Sequence, residues 1–291
     1  MAVYIDPPFW PAHGTLFSHL ISDSSIAELQ GFAAAAGIPS RAFDLDHYDV
    51  PQRRYADLVA AGAREVAGKE LVRLLAASGL RVRARHRGTS LDTALLDRWE
   101  RLLPGQAHLG SALLERWSEP HRRYHDRSHL LAVLEALSLL APKVPRDVGL
   151  AAWFHDAVYD GVPGVDEERS AALLETSLPP AGIPAAEVAR AARLVRLTAS
   201  HDPEPGDTAG ALLCDADLSV LGSEPGLYAR YLSAVRADYA HLGDADFAAG
   251  RAAVVRRLLE LDPLFHTDAG RDRWQARARE NLAGELARRG R

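Results

Sequence analysis

Imidazoles and carboxylates gather in four short stretches of this chain. They are Tyr124-His125-Asp126-Arg127-Ser128-His129, Phe154-His155-Asp156, Thr198-Ala199-Ser200-His201 and Asp215-Ala216-Asp217-Leu218. These are the donor types a catalytic divalent cation takes, and a bound cation turns water into hydroxide near neutral pH, so hydrolysis is the first chemistry to expect. His125 and His129 are four apart and would project from one face of a helix. His155 and Asp156 come late in an amphipathic pattern, after Leu150-Ala151-Ala152-Trp153-Phe154. Asp217 follows the apolar run Ala211 to Cys214, where a carboxylate requires a partner to offset its desolvation. Each piece has a plainer reading taken singly: a surface or capping His pair, or an incidental His-Asp dipeptide. Their joint occurrence in one helical stretch gives them weight.

The elements that would position these residues are helices. Apolar residues recur at helical spacing over Leu91 to Leu103, Ser111 to Trp117, Ser128 to Leu140, Asp147 to Tyr159, Glu167 to Ser177, Pro184 to Ser200 and Gly226 to Leu242. Phe247 to Leu261 and Asp272 to Arg288 continue the pattern, and the breaks carry Pro and Gly turn chemistry. The first hundred residues differ. Val3-Tyr4-Ile5, Arg41 to Leu45 and Arg81 to Arg85 are strand candidates, with Pro7, Pro8 and Pro11 breaking off the first. Ser24 or Ser25 caps a helix running to about Ala36, Gly37 stops it, and further helices are expected from Pro51 to Ala61 and Lys69 to Ser78. The expected fold is α+β overall: a small α/β module over residues 1–88, then an all-α domain over 89–291, with the boundary at Gly88-Thr89-Ser90.

Composition narrows the partners. Of 291 residues, 47% are apolar and 25% charged, which is ordinary for a globular protein, and the length favours two domains. A net charge of −5 supplies no general attraction to nucleic acid, so no such partner is expected. Cys214 is the single cysteine and cannot form an intramolecular disulfide, which fits a reducing cytoplasm. No apolar run reaches membrane-spanning length, and the N-terminus lacks the basic-then-apolar pattern of a signal peptide. A cytoplasmic protein without a membrane partner is expected, its oligomeric state open.

The order His … His-Asp … Asp resembles the HD superfamily of metal-dependent phosphohydrolases. It is most similar to a branch of HD-type hydrolases with Tyr-His-x-x-x-His, Phe-His-Asp-x-x-Tyr and Asp-Ala-Asp-Leu-x-x-Leu-Gly stretches, here Tyr124 to His129, Phe154 to Tyr159 and Asp215 to Gly222. Tyr231, Arg236, Tyr239, Gly250-Arg251 and Phe265 also look like that branch, and the resemblance covers roughly Leu113 to Leu286. It implies metal ligation by His129, His155, Asp156 and Asp217, with Asp217 favoured over Asp215. Asp215 is left as an orienting acceptor or a helix cap. The resemblance also implies His125 as general acid, a role suited to an imidazole a turn from a metal.

His201 is similar to the branch's Thr-x-x-His and would bind phosphate or a second metal, unless it only complements a helix C-terminus. Glu167 and Glu168 stand where the branch has Asn-Glu, with Asp166 replacing the asparagine. Glu167 is the candidate for polarising the attacking water, against simple first-turn charge stabilisation. Arg236 and Arg251 offer guanidinium forks to phosphoryl oxygens, against structural ion pairs with Asp238 or Asp246. The implied activity is hydrolysis of a phosphomonoester or phosphodiester of a nucleotide-like small molecule with Mn, Mg, Fe, Co, Ni or Zn. The alternatives are a nucleotide-sensing regulatory module and a di-iron oxygenase.

Residues 1–86 resemble a bacterial domain of unknown function sometimes fused to HD-type hydrolases, through Val3-Tyr4-Ile5-Asp6, Trp10, His19 with Ser22-Asp23, and His47-Tyr48-Asp49. Asp6 at a strand's carboxyl end and the His47/Asp49 pair are candidates for a second polar pocket at the sheet edge, against a turn cap and a satisfied loop histidine. Alternating Arg81, Arg83, Arg85 and Arg87 would line one strand face, meeting phosphate or only guarding an edge.

Overall fold

The computed structural model describes residues 2–44, 46–78, 80–81 and 88–289. Two compact units divide the chain: Met1–Arg83 with Glu224–Arg230, and Ala84–Ser223 with Tyr231–Arg291. The first carries the sheet and the second is helical, so the fold is α+β. Gly88, Thr89 and Ser90, expected to interrupt the pattern, instead open a helix. Most of the strand expected over Arg81 to Arg85, with Arg83, Arg85 and Arg87, falls outside the described residues. No described helix is long and apolar enough to cross a membrane.

The sheet of the first unit is mixed. Its strands are β1 (Val3–Ile5), β2 (Trp10–Ala12), β3 (Thr15–Ser22), β4 (Phe43–Asp44), β5 (His47–Pro51) and β6 (Arg64–Glu65). The order is β4-β5-β3-β1-β6, with β2 paired to β3. Pro11 is tolerated in β2 because that strand pairs only with β3, where a missing ladder donor costs little. Phe43 and Asp44 realise only part of the strand expected from Arg41, since residues 40–42 form a 3-10 turn.

The central strand β3 is not foreseen from the sequence, and His47 and Asp49, candidates for a polar pocket at the sheet edge, lie on β5. The side-chain alternation of β5 explains its role: Tyr48 and Val50 enter the core with Leu20 of β3, while His47 and Asp49 take the opposite face. Three helices accompany the sheet: α1 (Ile26–Ala35), capped by the Ser25 hydroxyl accepting from Glu28 N–H, α2 (Tyr55–Ala60) and α3 (Gly68–Ala77).

The second unit is built from α4 (Gly88–Leu102), α5 (Ala107–Trp117), α6 (Arg127–Leu140), α7 (Arg146–Phe154), α8 (Val165–Ser177), α9 (Ala185–Leu197) and α10 (Thr208–Asp217). Then come α11 (Pro225–Asp238), whose first turns belong to the other unit, α12 (Asp244–Glu260), the short α13 (Asp268–Gly270) and α14 (Ala276–Arg289). Helix α7 is buried on every face from Val148 to Phe154, as befits a central helix.

Indoles support its end. Trp99 of α4 meets Trp153 of α7 edge-to-face at 4.9 Å, and Trp117 donates its indole N–H to the Trp153 carbonyl at 3.0 Å. Trp99 reaches that place because Gly110 on α5 has no side chain; a Cβ there would lie 2.7 Å from the Trp99 Cγ. Gly110→Ala therefore forces overpacking beneath α7. Urea unfolding should show a loss of about 1–3 kcal/mol, against a few tenths expected if the site were roomy.

Candidate metal centre

Asp126 begins the site. Its carboxylate caps α6 by accepting from the N–H groups of Ser128 and His129, at 2.7 and 3.3 Å. The cap starts the helix at Arg127, so His129 lies in the first turn while His125 precedes the helix altogether. The expectation that both histidines share a helical face is thus corrected, although their rings still approach to 5.7 Å.

The second piece also departs from the helical expectation. Helix α7 ends at Phe154, and Ala157 N–H turns back to the Phe154 carbonyl at 3.0 Å. The buried Arg122 guanidinium holds this turn by donating to the carbonyls of Asp156 and Ala157 at 2.7 and 3.2 Å, and to that of His125 at 3.0 Å. One cation thereby ties the His125 segment to the His155-Asp156 turn. Asp217 ends α10, which Asp207 caps by accepting from Gly210 N–H.

These elements bring the four expected ligands together. His129 Nε2 lies 3.2 Å from His155 Nε2 and 3.0 Å from Asp217 Oδ1. His155 Nε2 lies 3.3 Å from Asp156 Oδ2 and 3.6 Å from Asp217 Oδ1, and His129 Nε2 is 3.7 Å from Asp156 Oδ2. Donor atoms bound to one ion at about 2.0–2.2 Å stand about 3.0–3.6 Å apart, and His129, His155 and Asp217 meet that spacing, while Asp156 approaches the two imidazoles. His129, His155 and Asp217 form a group that could hold a metal ion. The Nδ1 of His155 faces the Ala152 carbonyl at 2.9 Å, which directs its proton there and leaves the Nε2 lone pair for the centre.

Electrostatics agree with the geometry. Burial pulls the His155 imidazole down, but Asp156 and Asp217 outweigh it and hold its pKa well above the usual histidine range. Burial pushes the Asp217 carboxyl up, yet His155, His129 and His201 hold it well below the ordinary carboxylate value. The cluster therefore demands positive charge.

Further candidates surround the ligands. His125 places Nδ1 2.9 Å from the buried Asp238 Oδ2 and stacks on Tyr159 at 4.1 Å. Asp238 also accepts from the backbone N–H of Tyr124 at 3.2 Å. From the sequence Asp238 is expected only as an ion-pair partner for Arg236 or Arg251, and its contact with His125 is not foreseen. Nothing local to Asp238 signals it, because the two residues are far apart in sequence.

His201 lies past the end of α9 at φ 54°, in the left-handed region that histidine enters more readily than most side chains. Its Nε2 reaches Asp217 Oδ2 at 2.8 Å, so both oxygens of that carboxylate face imidazoles.

The other sequence candidates sit differently. Glu167 closes a capping turn by accepting from Gly164 N–H at 2.6 Å while lining a cavity beside the ligands. Glu168 is drawn away by a two-point pair with Arg196. Asp215 neither orients a ligand histidine nor caps its own helix; it accepts from the N–H groups of His266 and Thr267 at 2.7 and 2.8 Å.

Arg236 does not line the cavity. It binds the carbonyls of Tyr239 and Leu242 and pairs with Asp244, rather than with Asp238 or Asp246. Arg251 lines the cavity and is held in a buried two-point pair with Glu285 at 2.9 and 3.1 Å. The cavity has a volume of about 500 Å³. His125, His201 and Asp217 line it together with apolar and aromatic side chains such as Tyr231, Phe247 and Leu258.

Residues 3–78 match the family model described as "Protein of unknown function (DUF4031)". No HD-domain family model matches the chain. No curated protein and no solved structure matches it either.

A cation held by these ligands stabilises the native state by mass action. Manganese at a hundredfold excess over Kd should raise unfolding stability by about 2.7 kcal/mol, and EDTA should reverse the gain. A His129→Ala/His155→Ala variant should lose that increment in the same titration.

Proposed function

We propose that the helical unit is a metal-dependent phosphohydrolase of the HD type, acting on a phosphomonoester or phosphodiester of a nucleotide-like small molecule. The observation that carries this reading is the convergence of His129, His155 and Asp217 at donor separations of 3.0–3.6 Å, with Asp156 3.3 and 3.7 Å from the two imidazoles, beside a cavity large enough for such a molecule. A divalent cation bound there supplies Lewis acidity at a phosphoryl oxygen and a water of lowered pKa.

The chain's own groups do the rest. Asp238 accepts a hydrogen bond from the Nδ1–H of His125, which fixes the tautomer and leaves Nε2 as the atom that exchanges protons with a leaving oxygen. Tyr159 stacked on the ring limits its rotation. Arg122 keeps the His125 carbonyl and the His155-Asp156 turn in fixed register, so acid and ligands move as one body. The apolar cavity wall holds the organic part of the substrate and excludes water from the reacting end.

A second reading has one observation in its favour. Asp217 faces His129 through Oδ1 and His201 through Oδ2, the disposition of a carboxylate shared by two metals. Two redox-active irons bound in this unit would favour oxidative chemistry, and one non-redox ion would favour hydrolysis.

Nucleotides and phosphodiesters screened with several metals should show phosphate release that vanishes in His155→Ala and in Asp156→Ala. Turnover equal to wild type in either would reject the assigned site. His125→Ala should keep its metal and lose rate by about 10²- to 10⁴-fold. Asp238→Asn should lose rate in the same direction by a smaller factor, and an unchanged kcat there would dismiss the dyad.

A further inference from the structure

The sheet of the first unit carries a second histidine–carboxylate cluster, remote in sequence from the ligands above. His19 on β3 stands directly across from Asp49 on β5, and His47 lies two residues before Asp49, on the same face. Both imidazoles turn Nε2 toward a single oxygen: His47 Nε2 is 3.3 Å and His19 Nε2 is 3.9 Å from Asp49 Oδ1. The ligand atoms of these three residues all lie within 4.8 Å of one another.

The other nitrogen of each ring is held by a separate buried carboxylate. His19 Nδ1 lies 3.1 Å from Asp6 Oδ2, and His47 Nδ1 lies 2.6 Å from Asp46 Oδ1. Asp6 is further fixed by accepting from the His19 backbone N–H at 2.6 Å, and Asp46 is wholly buried. A carboxylate on Nδ1 sets the tautomer, raises the basicity of Nε2 and aims the ring; metal-ligating histidines are held in this way. Having one such dyad on a surface is common. Here two dyads converge on a third carboxylate, and three negative charges share one patch.

We propose that His19, His47 and Asp49 form a second divalent-metal site, of the kind that takes Zn²⁺ or Co²⁺ through two imidazoles and a carboxylate. Three protein donors leave at least one coordination position for water or an exogenous ligand, the pattern of reactive zinc sites. Asp49 is half exposed, so the ion is reached from solvent. Trp10 stands edge-on to His19 at 5.7 Å and is itself half exposed, giving the open position an aromatic wall. Asp6 and Asp46 act as positioning residues, not ligands.

The test loads the full-length protein with Co²⁺, dialyses it, and reads bound metal per chain alongside the visible d–d absorption. His19→Gln/His47→Gln should bind one equivalent less than wild type, with circular dichroism and urea midpoint recording the fold. His129→Ala/His155→Ala should keep an equivalent that disappears when the first pair of changes is added. Asp46→Asn should leave that equivalent bound more weakly, by about 10- to 100-fold. Unchanged stoichiometry in His19→Gln/His47→Gln would overturn the proposal. So would absence of cobalt from a folded His129→Ala/His155→Ala protein, because protonated imidazoles would then be neutralising the carboxylates.

Discussion

Two imidazole nitrogens face each other at 3.2 Å in the interior of the helical unit, with Asp156 and Asp217 oxygens crowded round them. Carboxylates removed from water are costly unless positive charge, from a cation or from a proton on those nitrogens, is brought among them. Everything nearby is arranged around that requirement. Asp126 sets where α6 begins and so where His129 points, the Ala152 carbonyl takes the outward proton of His155, and Asp207 caps the helix that ends in Asp217. A cluster so unfavourable alone persists because the surrounding helices over-determine it.

Arg122 shows how the scaffold and the chemistry are joined. Its guanidinium is wholly buried, pairs with Glu119 at 3.0 Å and donates to the carbonyls of His125, Asp156 and Ala157. Those carbonyls belong to residues that have left regular helix and would otherwise be orphans in the interior. Breaking α7 at Phe154 is what frees His155 and Asp156 to turn inward, and the arginine is what makes the break affordable in hydrogen bonds.

Much of this was legible in the sequence, and the failures have physical reasons. The gathering of His129, His155, Asp156 and Asp217 was readable because their types and order are distinctive. The helices were readable from their 3.6-residue period, although α7 was drawn to Tyr159 because periodicity carries no information about a terminating arginine far upstream. Strand β3 was missed because Leu16, Phe17, Leu20 and Ile21 repeat at a spacing that also suits a helix, while Ser18 and His19 blur the alternation. That single omission hid the place of His19 between Asp6 and Asp49, which only antiparallel pairing creates. Asp238 and Glu285 were invisible for a related reason, since their partners His125 and Arg251 lie far away along the chain.

The indoles have a use beyond packing. Trp117 sits 5.4 Å from the His155 ring in a dry interior, while Trp10 sits 5.7 Å from His19 and is half open to water. Buried and wet tryptophans emit at different wavelengths, so the two histidine clusters have neighbouring chromophores that differ in colour. A paramagnetic ion beside His19 would dim the long-wavelength emission of Trp10, and one beside His155 the short-wavelength band that Trp117 shares with the buried Trp99 and Trp153.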